Sequence, residues 1–110
     1  MQALPPPLQA TINHLLGQAS WAREKLMPFA GHAAQIKLPP FEAAFLITPD
    51  GSIAAPAPDA ELEVAISLPA ATPLLALQGK EAVMRAARIE GSAEFAQALG
   101  FVIRNLRWDA

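Results

Sequence analysis

The chain has 110 residues, 53% of them hydrophobic and 16% charged, with no cysteine and a formal net charge of −2. This length fits one domain and is too short for two cores, the missing cysteines exclude disulfides, thiolate metal sites and cysteine nucleophiles, and the charge leaves no electrostatic footprint for nucleic acid. Soluble domains carry about 45–50% apolar and about 25% charged residues, so this chain has apolar surface to spare, yet no apolar run approaches the roughly 20 residues that span a bilayer and no leader-like segment opens it, which points to the cytoplasm.

In chain order, Pro5-Pro6-Pro7 leads into a helix, since proline is tolerated in the first turn. Leu8, Ile12, Leu15, Leu16 and Ala19 then recur at the 3.6-residue period. Ser20 is placed to cap a second segment with Ala22, Leu26 and Phe29 inward, stopped by Pro28 and Gly31. At that point the period changes to two. Ile36 and Leu38 alternate with Gln35 and Lys37, and beyond a Pro39-Pro40 turn Phe41, Ala43, Phe45 and Ile47 share one face of a strand.

Pro49-Asp50-Gly51 reads as a tight turn whose glycine takes a positive φ, followed by a short strand over 52–55 and a loop through "APAPDA". The clearest alternation is "LEVAISLP", with Leu62, Val64, Ile66 and Leu68 on one face and Glu63, Ala65 and Ser67 on the other. Thr72-Pro73 opens a short helix with Leu74, Leu75 and Leu77, which Gly79 closes. "KEAVMRAA" is a further turn or two of helix and "ARIEG" a last strand. Ser92, as N-cap, and Glu94, at the positive dipole end, start the final helix.

On that helix Phe95, Leu99, Val102 and Leu106 fall within an arc of about 60°, flanked by Ala98 and Ile103, and face the sheet. Phe101 and Trp108 share a second direction roughly 120–140° away. One packing contact does not bury both directions, so this pair is assigned to an interface, with a second subunit in a homodimer, a bound lipid, a following segment or water as its cover. Charge is also uneven: residues 38–79 hold Glu42, Asp50, Asp59, Glu61 and Glu63 and no Lys or Arg, while all the basic residues lie in the flanks. An ordinary solvated surface explains so small an excess, with peripheral contact to anionic lipid as the alternative.

The stretches "ATINHLLGQASWAREKLMPFAG", "IKLPPFEAAFLITPDG", "RIEGSAEFAQAL" and "NLRWDA" resemble sterol carrier protein 2-like domains, and within them the UbiJ-type accessory factors of ubiquinone biosynthesis in proteobacteria. The resemblance covers nearly the whole chain. It implies an α+β fold, a five-stranded, mostly antiparallel sheet covered by helices with an apolar cavity between. It also implies a non-catalytic protein that binds isoprenoid intermediates of ubiquinone synthesis and helps to organise the biosynthetic enzymes. The chain departs from the pattern at Gly91-Ser92, where the family commonly has Gly-Asp. UbiJ-type chains also continue past "NLRWDA" into helical, partly coiled-coil segments, so residues 1–110 are expected to be the lipid-binding N-terminal domain of a longer chain, with a short member of the family as the alternative.

The residues agree with a protein that is not an enzyme. His14 and His32 are the two histidines, on different elements and without carboxylates spaced to complete a metal site. Ser52 follows Gly51 without a G-x-S-x-G elbow, and no glycine-rich phosphate loop occurs. No cofactor or metal is implied. Asp50, Asp59, Glu61 and Glu63 read as a hairpin tip and the wet face of a strand.

The candidate lipid-binding set is therefore apolar. Phe45, Ile47, Val64, Ile66 and Leu68 face Phe95, Leu99, Val102 and Ile103, with Leu74, Leu77 and Met84 closing one end. Taken singly, each is first a core residue, as every small domain needs such a set; the apolar surplus and the resemblance favour a cavity. Residues 73–84, helical yet broken by glycine, are the natural gate. The alternative is an assembly module with a filled core that self-associates through Phe101 and Trp108 and holds no lipid.

Overall fold

A computed structural model describes residues 2–106. The elements run β1 (Gln2–Ala3), α1 (Pro6–Gly17), α2 (Ser20–Leu26), β2 (Ala33–Leu38), β3 (Phe41–Ile47), β4 (Ile53–Ala54), β5 (Leu62–Ser67), α3 (Thr72–Ala76), α4 (Lys80–Ala86), β6 (Arg88–Gly91) and α5 (Ala93–Asn105), with a 3₁₀ turn over Met27–Phe29 after α2. The helices and the long strands thus form where the two periodicities place them.

The strands make one sheet in the order β1-β3-β2-β5-β6, with β4 also paired to β3. The two-residue strands share the free edge of β3: β1 lies parallel along Ala43 and Ala44, and β4 antiparallel along Leu46 and Ile47. The sheet is therefore five strands wide, as expected, with its edge position split in two. Pairs β2–β3, β3–β4 and β5–β6 are antiparallel, while β2–β5 is parallel, so the chain crosses over between the two halves.

Register decides which face is buried. Ala34 lies opposite both Phe45 and Val64, and Ile36 opposite Ala43 and Ile66. Ile89 continues the row beside Ile66 and Ile53 beside Ile47. With a side-chain period of two, these residues share a face. They meet Leu16, Ala22, Leu26, Phe95, Ala98, Leu99, Val102 and Leu106 from the helices in one core. Phe95 is its largest fully buried side chain, stacked on Phe29 at a centroid distance of 5.1 Å, with the His32 ring edge-on at 5.9 Å.

Neither serine caps its helix with a side chain. Ser20 is the first residue of α2 and Ala19 holds the cap position; Ser92 stands at the N-cap of α5 but uses backbone alone, its N–H donating to the Glu63 carbonyl and its carbonyl accepting from Ala96. That bond between Ser92 and Glu63 ties the start of α5 to β5.

Two polar fixings hold the β3–β4 turn. The Thr48 hydroxyl donates to Asp50 Oδ1, and the Ser52 N–H reaches Thr48 Oγ1 at 3.0 Å and Asp50 Oδ1 at 3.3 Å. These donors, the Thr48 hydroxyl first, hold the Asp50 carboxyl below its usual range. A carboxylate lowered in the folded state stabilises the fold above the ordinary range of about 4 and loses that contribution as pH falls through its native value. The stability difference between wild type and Asp50→Asn should accordingly be full at neutral pH and vanish in acid, as thermal melts across that window will show. Asp50 is fully exposed, so the difference is small.

The second fixing is Asn13 on α1. Its amide donates to the Ile53 carbonyl and accepts from the Ile53 N–H, each at 2.9 Å, so one side chain stands in for a neighbouring strand along β4. Asn13→Ala leaves both backbone groups part-buried and unpaired; we expect a loss of about 1–3 kcal/mol in denaturant unfolding, with Asn13→Asp failing to restore it because a carboxylate cannot donate.

Candidate functional site

The structure gathers most of the candidate set. Phe45, Ile47, Val64, Ile66, Phe95, Leu99 and Val102 lie in the central core, and Ile103 packs against it. Here β3 and β5 supply one wall and α5 the other, and α5 passes close to β6 at Gly100, where a Cβ would meet the Ile89 side chain at a van der Waals distance of 3.4 Å. These side chains already fill the space between the sheet and α5.

Leu68 and Met84 are half-buried and lie outside that core cluster, and Leu74 and Leu77 depart from expectation. They do not close its end: Leu74 is 68% and Leu77 84% exposed. The reason lies in α3, a five-residue helix that packs on α4 and is too short to turn a face to the core as well. Phe41 departs in the same way. It shares the inward face of β3 but sits at the strand's first position, 72% exposed, beyond the reach of the helices.

The apolar layer therefore has two parts. One is sealed, around Phe45, Val64 and Phe95. The other is open, where Leu38, Leu68 and Met84 are half-buried and Phe41, Leu74 and Leu77 face outward. Topology holds the open part together: Leu38 pairs with Phe41 across the hairpin, the Leu68 N–H donates to the Lys37 carbonyl at 2.8 Å, and α3 follows directly.

The interface pair resolves differently. Trp108 lies outside the described residues. Phe101 finds its cover within the chain, on α2: the Trp21 ring meets it edge-to-face at 5.9 Å and Lys25 Nζ stands 4.9 Å from its centroid. Edge-to-face and cation–π contacts leave a ring partly exposed while satisfying its quadrupole, and Phe101 stays 41% exposed. Sequence reasoning missed this cover because helical period gives a direction, not the helix that lies there.

Polar chemistry is sparse. His32 Nδ1 and Glu63 Oε2 are 2.6 Å apart, joining the start of β2 to β5, and the His32 ring edges onto Phe29 and Phe95. The pair closes the sealed end of the core. His14 bonds Gln18 one turn along α1, at 3.1 Å, on the helix surface. Among the described residues no group of three side chains could hold a metal. A shallow groove beside α1, lined by Leu4, Pro5, Gln9, Asn13 and Ala55, lies apart from the apolar layer, and the Asn13 amide in it is already engaged with Ile53.

No curated protein sequence matches the chain. Among solved structures, one described as "UbiJ-SCP2 Ubiquinone synthesis protein" superposes with a TM-score of 0.55 at 16% identity, covering 90% of this chain and 95% of that one. A sterol carrier protein 2 from Yarrowia lipolytica, in its apo form, aligns over 93% of this chain and 91% of that one at 16% identity and a TM-score of 0.46. The first of these is a likeness of fold, and it agrees with the mixed α+β architecture and the five-strand width of the sheet. The sequence profile of the SCP-2 sterol transfer family matches residues 12–104, a span that holds the sheet from β2 onward and every residue of the apolar layer. The chain belongs to the SCP-2 sterol transfer family.

Proposed function

We propose that the protein is a non-catalytic lipid-binding accessory factor of ubiquinone biosynthesis, which takes isoprenoid intermediates into an apolar cavity that opens at the unsealed part of the layer and presents them to the biosynthetic enzymes. Family membership supports lipid as the ligand class, and the fold likeness to a ubiquinone synthesis protein supports the pathway. The observation that carries the reading is the open part of the layer: Leu38 and Leu68 follow Ile36 and Ile66 on the inward face of β2 and β5 yet stay half-buried, as does Met84 on α4, while Leu74 and Leu77 on α3 face outward.

A prenyl chain suits such a surface because it needs no polar partner along its length. Each methylene-sized group removed from water contributes about 0.8 kcal/mol, so a few isoprene units outweigh much of the cost of ordering the chain. The sealed part is already filled by Phe45 and Phe95, so the tail enters beside Leu68 and Met84, and α3 and α4 shift to cover it. Selectivity then comes from shape and from the head group left at the mouth.

Titration with a phenol carrying a short prenyl chain tests this. Saturable one-to-one binding is expected, weakened about tenfold by Leu68→Glu or Met84→Glu, since a charge on the path must be desolvated, and unchanged by Phe101→Ser on the far side of α5. Absence of saturable binding, or equal loss in Phe101→Ser, contradicts the reading.

A further inference from the structure

Among the described residues the three most exposed large apolar side chains, Phe41, Leu74 and Leu77, stand at one end of the sheet. Phe41 opens β3 next to the Pro39-Pro40 turn, and Leu74 and Leu77 follow β5 on α3. The same end gathers positive charge. Lys37 closes β2 beside Ser67, Arg88 opens β6 beside Ser67 on its other flank, Arg85 ends α4, and Lys80 donates to the Arg104 and Leu106 carbonyls at the C-terminus of α5, where Arg104 itself lies. Glu42, opposite Lys37, and Glu81, next to Lys80, are the acids there.

The opposite end is acidic. Asp50 sits in the β3–β4 turn, Asp59 and Glu61 in the loop before β5, Glu63 is the second residue of β5 and Glu94 lies at the start of α5; against these five acids stand Arg23, whose backbone lies against Gly51, and His32, which bonds Glu63. The sequence shows only that residues 38–79 lack basic side chains; folding converts this into a molecule positive at the leucine-bearing end and negative at the other.

Protruding leucines and a phenylalanine inside a collar of lysine and arginine match a surface that is apolar within and negative outside. We propose that this end docks the protein on a bilayer bearing anionic lipids, with Leu74, Leu77 and Phe41 at headgroup depth and Lys37, Lys80, Arg85, Arg88 and Arg104 against the phosphates. Apolar contact and electrostatic attraction act together in such binding, each cation near the surface strengthening it roughly fivefold. A second copy is the poorer occupant, because a symmetric contact through this end sets five basic residues against the same five. No described helix is long and apolar enough to cross a membrane, so the contact is peripheral. It does not require that the protein carry a lipid, although a carrier docked this way would meet its cargo at the open part of its layer.

The test is cosedimentation of the full chain with vesicles of phosphatidylcholine alone and with one third phosphatidylglycerol. Binding to the anionic vesicles is expected, falling with added salt and falling about tenfold or more in the Leu74→Asp/Leu77→Asp double variant. Both positions are exposed, and circular dichroism verifies that the variant keeps its fold. The chain has no cysteine, so Leu77→Cys and Asp59→Cys each take a single environment-sensitive fluorophore; vesicles should shift the first to the blue and leave the second unchanged. Absence of anionic binding, undiminished binding by the double variant, or a shift at position 59 instead overturns the proposal. So does a concentration-dependent mass abolished by the double variant without vesicle binding, which gives the patch to a second copy. Vesicle binding without prenyl-phenol binding leaves this proposal standing and removes the carrier reading; the reverse result does the opposite.

Discussion

Phe95→Ala should lower the stability of the domain by about 3–5 kcal/mol, enough to leave it marginal. The ring is 1% exposed, stacks on Phe29, and meets His32 edge-on. Removing it takes away the transfer free energy of a phenyl group and opens a hole between α5 and the sheet. The wall opposite is strand backbone bearing Phe45 and Val64, which cannot collapse inward without breaking register. Denaturant unfolding of wild type and variant measures the difference, and Phe95→Leu should recover a large share of it. A variant within about 1 kcal/mol of wild type means that α5 is not packed on the sheet as described.

Gly91→Ala should be comparably damaging, for a reason of backbone and not of burial. Gly91 has φ +127°, a conformation that a side chain rarely adopts, and a Cβ there would lie 2.1 Å from the Glu63 carbonyl oxygen and 2.9 Å from the Val64 Cα. The obstacle is the backbone of a neighbouring strand, so no rotamer change relieves it. Either β6 separates from β5 or the Ser92 N–H bond to Glu63 is lost, and the start of α5 moves with it. We expect a cost of at least about 3 kcal/mol, at the upper end of what backbone strain alone contributes. Gly17→Ala is the control: nothing lies within 4 Å of its Cβ position and it ends a helix, so stability should be unchanged or raised by up to about 1 kcal/mol.

Position 91 also marks the limit of what the sequence made legible. Alternation over Leu62–Leu68 and Phe41–Ile47 gave those strands and their inward faces, and the arc of Phe95, Leu99, Val102 and Leu106 gave the packed side of α5. Periodicity reports a direction and no partner. It therefore showed neither that β2 lies between β3 and β5 nor that β2–β5 is parallel, and it left Phe101 without the Trp21 that covers it. The two-residue strand β1 is too short to carry a pattern. Asn13 drew no reading, because its use depends on Ile53, forty residues away.

The site was legible in its sealed part and misplaced in its open part. Phe45, Ile47, Val64, Ile66, Phe95, Leu99 and Val102 come together because each sits on a long element with one apolar face. Leu74 and Leu77 were read as inward because leucines in a helix usually are. A helix of one and a half turns between Pro69 and Gly79 has little leverage to face the core, and its leucines point to water. That departure is what separates an open apolar surface from a closed core.

A carrier of isoprenoid lipid should leave the cell with that lipid bound. Native mass spectrometry of the gently purified protein, followed by organic extraction of whatever it releases, tests this most directly. The carrier account predicts a stoichiometric adduct whose extract is a polyprenyl phenol or quinone precursor, lost in Leu68→Glu while the protein stays folded. A lipid-free protein, or a lipid-free dimer that dissociates in Phe101→Ser, would contradict it and make the filled core and the α2–α5 face the parts of an assembly module.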